Sequence, residues 1–124
     1  MRKQYNFWPG KTGLDAWDVD RLIELSKGLK IREISLDTIA EIDKPYWSFE
    51  GKPMTVHEVA EHAKLIQEVD ISFPIILAAS GRVMDGMHRI ARAILDECRT
   101  IKAVQFSETP KPDYKNADPA LLPY

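Results

Sequence analysis

The segment at residues 83–93 carries residue types that bind anions in proteins. An apolar stretch runs into a turn at Asp85 and Gly86, and three basic residues follow at helical spacing: His88, Arg89 and Arg92. A helix that begins at such a turn presents unpaired N–H groups and the positive end of its dipole. Cations there cost roughly 0.3–1 kcal/mol each unless an anion lies beside them. The pattern therefore predicts a phosphate site, in which Asp85 caps the helix or accepts a hydrogen bond from a sugar hydroxyl or a metal-bound water.

The same basic residues also have an ordinary structural interpretation. Arg89 and Arg92 can form ion pairs with acidic residues such as Asp85 and Asp96, and His88 is then a surface residue. A nucleotide site would leave this segment open toward a cleft with a carboxylate nearby, whereas internal salt bridges would close it. The sequence leaves both interpretations open.

Hydrophobic periodicity predicts the elements that position this segment. The apolar run at residues 74–79 indicates a strand, which turns back through a two-residue hairpin at Ser80 and Gly81. Amphipathic helices are predicted over residues 55–69, behind a capping box that begins at Thr55, and over residues 87–98. The remaining predictions are a short helix over residues 18–27, one helical turn over residues 37–42, and strands over residues 30–36 and 100–106.

These elements predict a small α/β (α+β) domain, a mixed β-sheet packed with two or three helices. The chain of 124 residues is 44% hydrophobic and 29% charged, which is typical of one globular domain. We divide it into an aromatic N-terminal arm with a short helix (residues 1–30), a core (residues 31–106) and a proline-rich tail (residues 107–124). Turn residues are expected to break the arm, and the tail is expected to be extended, either mobile or draped on a surface.

Charge and hydropathy exclude several broad functions. The net charge of −2 argues against a protein that coats DNA, and no apolar run approaches the ~20 residues of a membrane span. The start of the chain lacks the apolar region of a secretory signal, and the single cysteine, Cys98, suits a reducing compartment. We therefore expect a cytoplasmic protein.

Weaker signals come from three other motifs and from the aromatic residues. The tripeptide at residues 10–12 matches the last three residues of a P-loop motif. Tyr5 stands where that motif requires its first glycine, so a turn is predicted instead. His57 and His62 are five residues apart rather than the four of a zinc-binding helix, so no metal site is predicted. Cys98 falls on the apolar stripe of the second long helix and is expected to be buried.

Most aromatic side chains are expected in the core. Trp8 and Trp47 are the two that we expect in exposed loops.

The sequence Asp85–Gly86–Met87–His88–Arg89, between a hairpin and an amphipathic helix, resembles the phosphate-binding box of the ParB/sulfiredoxin-like superfamily. The elements of residues 31–106 come in the order expected for that superfamily, and the arm and tail lie outside the resemblance. Members bind CTP or ATP with the phosphates at this helix start. The resemblance therefore implies a nucleotide ligand with Mg²⁺, contacted at the box by Gly86, Met87, His88 and Arg89, with assistance from Arg92.

Departures from the superfamily limit the chemistry that is implied. Sulfiredoxins carry a reactive cysteine at the position of Met87, and a thioether cannot replace a thiolate nucleophile. The ParB partition proteins add a DNA-binding helix-turn-helix region after this domain, so DNA binding by this chain alone is not expected. The free serine kinases of the superfamily differ from the box only at Met87, and their chemistry requires an acidic base near the first strand. Glu33 and Glu41 are the nearest candidates for that base, beside Asp85 of the box itself.

The leading interpretation is a nucleotide-binding domain, and any catalysis by it would be phosphoryl transfer or nucleotide hydrolysis. The alternative is a non-catalytic interaction module of the same fold, which binds protein or nucleic acid through the aromatic arm and the tail. The arm could also form a homodimer.

Overall fold

The aromatic N-terminal arm is a β-hairpin in the computed structural model, which describes residues 3–48 and 51–124. Strands β1 (Tyr5–Gly10) and β2 (Gly13–Asp18) pair in antiparallel register around a two-residue turn. The prediction that turn residues break the arm is wrong, because its two glycines flank that turn instead of interrupting the strands. Helix α1 (Val19–Ser26) follows directly, and the Asp18 carboxylate caps it by accepting a hydrogen bond from the Asp20 N–H at 2.9 Å.

Four short strands and two further helices make up the rest of the fold. In chain order they are β3 (Arg32–Ser35), α2 (Val56–Glu68), β4 (Ile75–Leu77), β5 (Val83–Asp85), α3 (Met87–Leu95) and β6 (Thr100–Gln105). The strands form one sheet in the order β3-β6-β4-β5, in which β4 and β6 are parallel and the other pairs antiparallel. Two 3-10 turns, Leu36–Thr38 and Ala40–Asp43, replace the single helical turn predicted after β3. The α+β class predicted from the sequence is confirmed.

The core lies on both faces of the four-stranded sheet, because alternate residues of a strand point to opposite faces. Ile75 and Leu77 of β4 pack with Ile90 of α3 on one face. Ile76 packs on the other face with Leu22 of α1 and Trp17 of the hairpin. Helix α3 and the N-terminal arm are therefore separated by the sheet.

The turn between β4 and β5 has three residues rather than the predicted two. The Ala78 N–H donates to the Arg82 carbonyl and the Gly81 N–H to the Ala78 carbonyl, both at 2.9 Å. Gly81 has a φ of +91°, so it takes the left-handed position that ends a three-residue hairpin loop. The glycine therefore lies at the end of the loop. Leu77 pairs with Val83, one residue away from the predicted register, and an irregularity between Ile76 and Leu77 restores the predicted pairing of Ile76 with Asp85.

Helix α3 ends three residues before its predicted end. Glu97 adopts a left-handed φ of +58°, its N–H donates to the Ile94 carbonyl, and the Cys98 N–H donates to the Ala93 carbonyl. This pair of bonds is a Schellman C-cap. Cys98 consequently lies beyond the helix and is exposed, so the prediction that it is buried is wrong.

Helix α2 lies at the periphery of the fold. Thr55 caps it as predicted, its hydroxyl oxygen accepting from the Glu58 N–H at 3.2 Å, but none of its 13 residues is buried. Val56 and Val59, on the predicted apolar face, are 87% and 54% exposed. The prediction of this apolar face as the buried one is wrong, because α2 packs on α3 through the side that carries His62.

The proline-rich tail is draped on the N-terminal hairpin. Ala16 and Tyr114 exchange two backbone hydrogen bonds at 2.9 and 3.1 Å, and the Trp17 indole N–H donates to the Pro110 carbonyl at 2.8 Å. The arm and the tail therefore form one layer. Among the residues that the structure describes, no helix has the length and apolar character needed to span a bilayer.

Candidate functional site

The turn before α3 can be formed only by glycine. Gly86 has φ +114° and ψ 19°, and a Cβ built on it would lie 2.6 Å from Cγ2 of the fully buried Ile75. No side chain of the described chain caps α3 at this residue. The N–H groups of the first turn, which have no partner within a helix, therefore begin at a close backbone turn without a side-chain cap.

The guanidinium of Arg89 is fixed beside this turn. Nη2 lies 2.7 Å from Oδ2 of Asp85, and Nη1 donates to the carbonyls of Phe73 at 3.3 Å and Pro74 at 3.1 Å. Nη2 also lies 3.0 Å from the point that a Cβ on Gly86 would occupy. These bonds use at most three of the five N–H donors that a guanidinium carries. Arg89 is thus both structurally engaged and placed at the helix start.

Asp85 does not act as the side-chain cap of α3 that the sequence suggested. Its carboxylate pairs with Arg89, and only 16% of the side chain is exposed. Burial raises the pKa of Asp85 above its ordinary value, although the charge and hydrogen bonds of Arg89 and the Gly86 N–H oppose that rise. The pair therefore carries a carboxyl group that is more easily protonated than a surface aspartate.

Arg92 lies away from the helix start, contrary to the prediction. Because α3 ends at Leu95, Arg92 is in the last turn, where a cation interacts favourably with the helix dipole. Its Nε lies 3.0 Å from the Asp96 carboxylate, and its Nη1 donates to the Gln67 carbonyl at 2.8 Å. Arg92 therefore joins the end of α2 to α3, and the structure does not bring it to the phosphate position.

Three rings from three elements stack beside the start of α3. Trp47 lies 4.4 Å from His62 and 4.8 Å from His88, measured between ring centroids, at interplanar angles of 22° and 16°. Nδ1 of His62 and Nε2 of His88 are 2.8 Å apart, so the two imidazoles share a hydrogen bond. The sequence predicted His88 at the site but missed His62. Only the parallel packing of α2 on α3 brings the two histidines together.

An open groove of about 210 Å³ runs along α3 from this stack. Met87 and Ile94 form its helical wall, and Tyr46, Trp47 and Met54 line it from the loop before α2. Met87 is only 8% exposed, so it packs into the core beneath the groove rather than lying at the protein surface. The groove adjoins the Gly86 turn through Met87, and its aromatic wall can pack against a flat, apolar group.

The two candidate bases outside the box have different locations. The Glu41 carboxylate accepts a hydrogen bond from the Val83 N–H at 2.6 Å, and so it covers part of the outer edge of β5. Glu41 also lines the groove beside α3. Glu33 lies on β3 at the opposite edge of the sheet, where its carboxylate accepts from the Thr100 hydroxyl at 3.4 Å. Two strands separate it from β5, so the structure does not bring Glu33 to the site.

An arginine clamp connects the hairpin to the strand that precedes the site. The Arg82 guanidinium lies 4.4 Å from the ring centre of Trp8 and 5.0 Å from that of Trp17, and it donates to the buried Asn6 side chain at 2.9 Å. Such contacts between a cation and aromatic faces stabilise by roughly 0.5–2 kcal/mol. The sequence offered no signal for the clamp, because hairpin and strand lie about 70 residues apart in the chain.

Comparison of the chain with protein-family models, curated proteins and solved structures finds no match. Within residues 3–48 and 51–124, no group of three or more histidine, cysteine, aspartate or glutamate side chains is arranged to hold a metal ion. The site combines a helix start without a side-chain cap, a fixed guanidinium, a carboxyl with a raised pKa and an adjoining apolar groove.

Proposed function

We propose that this chain is a nucleotide-binding domain of the ParB/sulfiredoxin-like kind, with the phosphates bound at the Gly86 turn. The observation that carries the proposal is the position of the Arg89 guanidinium, which is fixed 3.0 Å from the place of the missing Gly86 Cβ at a helix start without a side-chain cap. Backbone N–H groups, the helix dipole and a guanidinium together form a favourable environment for a phosphate.

The neighbouring groups divide the ligand into two parts. In this proposal the phosphates lie beside His88, in the first turn of α3, and beside the N–H donors of Arg89 that its protein bonds leave over. The groove beside Met87 accepts the less polar end, where the Trp47 ring offers a stacking surface. ATP and CTP are the nucleotides that the superfamily resemblance favours.

The carboxylates at the site already have protein partners. Asp85 pairs with Arg89, and Glu41 accepts from the Val83 N–H. They do not form an all-protein cage for Mg²⁺, so we propose that the ion enters with the nucleotide and is held by its phosphates and water, as is common for Mg²⁺. Any phosphoryl transfer or hydrolysis would then depend on positioning and charge stabilisation by Arg89 and the helix start. A cytoplasmic location, where both nucleotides are available, belongs to the same proposal.

A thermal-shift screen of ATP, CTP, GTP and ADP with Mg²⁺ tests this function. A nucleotide at about 100 times its dissociation constant should stabilise the protein by about 2.7 kcal/mol. The His88→Ala variant should bind roughly threefold to tenfold more weakly, because it removes the hydrogen bond that the imidazole would donate to the phosphate. His57→Ala, at an exposed histidine in the first turn of α2, is the matched control and should bind normally. Absence of a shift with every nucleotide contradicts the proposal, and equal binding by both variants places the site elsewhere.

A second candidate is the non-catalytic interaction module, and the ion pairs of α3 favour it. Arg89 with Asp85 and Arg92 with Asp96 close the basic segment internally, as that alternative requires. In the layer that the arm and the tail form, Trp8 is 47% exposed, and this candidate has the Trp8 ring contact a second copy of the chain. This candidate predicts no stabilisation by nucleotides and a dimer in analytical ultracentrifugation. Trp8→Ser should dissociate that dimer, whereas Leu25→Ser, at a 46% exposed residue of α1, should not.

A further inference from the structure

A second cleft, of about 360 Å³, lies where the parallel strands β4 and β6 end. Leu77 and Gln105, the last residues of these strands, line it together with Arg32 and Ile34 of β3. It shares no lining residue with the groove beside α3. The carboxyl ends of parallel strands are a common place for ligand sites in mixed sheets.

One wall of this cleft carries a fixed arginine. The Arg32 guanidinium donates to Oε1 of Gln105. The Gln105 amide is oriented in turn, because its Nε2 donates to the carbonyls of Ala78 and Ala79, both at 3.2 Å. Within the described residues Arg32 forms no ion pair, whereas Arg21, Arg89 and Arg92 each pair with an aspartate. A neutral amide therefore positions this exposed positive charge at the cleft, and no carboxylate of the described residues forms an ion pair with it.

The floor of the cleft is apolar and tightly packed. Ile39 is 3% exposed and Leu77 is 4% exposed, and both belong to the core cluster that Ile34 packs against. The cleft therefore offers a positive group at one end and an apolar surface at the other.

We propose that this cleft binds a small monocarboxylate with a short aliphatic tail. The planar guanidinium matches a carboxylate, which it can bind through two parallel hydrogen bonds. One guanidinium balances the single charge of a carboxylate, but only part of the charge of a phosphate dianion. The tail would lie on the apolar floor that Ile34, Ile39 and Leu77 form. The site is independent of nucleotide binding at α3.

Titrations followed by ¹H–¹⁵N NMR test this inference, with sodium acetate, butyrate and hexanoate as probes and sodium chloride at equal ionic strength as reference. The amides of residues 34–39, 77–81 and 105 should shift saturably. Affinity should rise about fourfold for each methylene added, until the apolar floor is covered. Arg32→Gln should weaken binding at least tenfold, and Arg32→Lys should weaken it less, because it keeps the charge and loses the two-pronged geometry.

Arg99→Gln is the matched control, since Arg99 is an exposed arginine at the opposite end of β6. It should bind like the parent chain. The same NMR spectra report whether each variant is folded. Equal binding by the Arg32 and Arg99 variants, shifts that chloride reproduces, or affinity that is independent of tail length would each overturn the proposal.

Discussion

Gly86 carries the strictest steric demand at the candidate site. Its φ of +114° is unfavourable for any residue with a Cβ, and the added atom would meet the buried Ile75 side chain at 2.6 Å. We expect Gly86→Ala to lower the free energy of unfolding by roughly 2–4 kcal/mol, from the dihedral cost together with overpacking. Urea denaturation measures this loss.

Gly28→Ala is the control for that substitution. A Cβ at Gly28 meets nothing within 4 Å, and its φ lies outside the left-handed range. Its unfolding free energy should change by less than about 1 kcal/mol. Similar losses at both positions would show that the Gly86 turn imposes no special steric constraint.

Asp85 should give the protein a distinctive pH dependence. Burial raises its folded pKa above the unfolded value of about 3.9, so the folded state holds this proton more tightly. The resulting stability is fully present below the unfolded pKa and is lost as pH rises through the folded pKa. As the pH rises through the folded pKa, the parent chain should therefore lose stability relative to Asp85→Asn. If urea unfolding instead shows the parent chain gaining stability relative to Asp85→Asn between about pH 4 and pH 7, the charge of Arg89 outweighs burial.

The contacts of single residues were predictable where they are local in the chain. The i,i+4 spacing of Asp85 and Arg89 allows their ion pair, and the turn signal places Gly86 in the turn. The bonds from Arg89 to the carbonyls of Phe73 and Pro74 depend on where the loop before β4 passes α3. No local pattern encodes that path, so the engagement of Arg89 could not be derived from the sequence.

At the scale of elements, the end of α3 decides which basic residues belong to the site. The helix stops because Glu97 takes a left-handed conformation, which costs a residue with a Cβ roughly 1–2 kcal/mol. Glycine is the usual residue at this C-cap position. We expect Glu97→Gly to raise the unfolding free energy by about 0.5–1 kcal/mol, since glycine also loses more chain entropy on folding. Thermal or urea denaturation measures the gain.

Glu97→Ala is the informative comparison, because it removes the carboxylate and keeps the Cβ. It should be close to neutral, which separates the backbone effect from charge. Equal stabilisation by both variants would assign the effect to the lost negative charge near the helix end instead.

The sequence predicts which helices and strands exist better than it predicts where they begin and end. Apolar periodicity located the three helices and the strands of the main sheet. It extended α3 to Cys98 because the stripe continues past the cap, and cap geometry is set by the fit of the following strand. It also assigned α2 a buried face, whereas that helix has no buried residue. Periodicity alone cannot tell whether another element is available to cover a face.

At the scale of the whole molecule, the tail and the hairpin depend on each other. The tail supplies the second neighbour of β2 through Ala16 and Tyr114, and it accepts the Trp17 indole hydrogen bond through Pro110. Each such bond contributes about 1 kcal/mol net. We expect deletion of residues 110–124 to lower the unfolding free energy by a few kcal/mol and to shift tryptophan fluorescence toward the red.

Leu121→Ala controls for nonspecific effects in the tail. Leu121 is 80% exposed, so its substitution should change the unfolding free energy by no more than about 0.5 kcal/mol. A truncated chain as stable as the parent would show that the tail does not pack on the hairpin in solution.

Contacts between segments that are far apart in the chain are the part of the site that the sequence does not predict. The site gathers Trp47, His62 and His88 from a loop and two helices, and the Arg82 clamp ties the hairpin to the strand that ends at Asp85. Each of these contacts joins segments 15 or more residues apart, and each depends on the complete packing of the fold. The α+β class and the strand–turn–helix at Gly86 needed only local patterns and were therefore predictable.

Phosphate binding at the start of α3 is the central claim, and the backbone N–H signals of that turn test it most directly. In a ¹H–¹⁵N NMR titration with ATP or CTP and Mg²⁺, the amides of Gly86, Met87, His88 and Arg89 should show the largest saturable shifts. Residues lining the groove, such as Trp47 and Ile94, should follow with smaller ones. Saturable shifts confined to other parts of the chain, or none with either nucleotide, would contradict the claim.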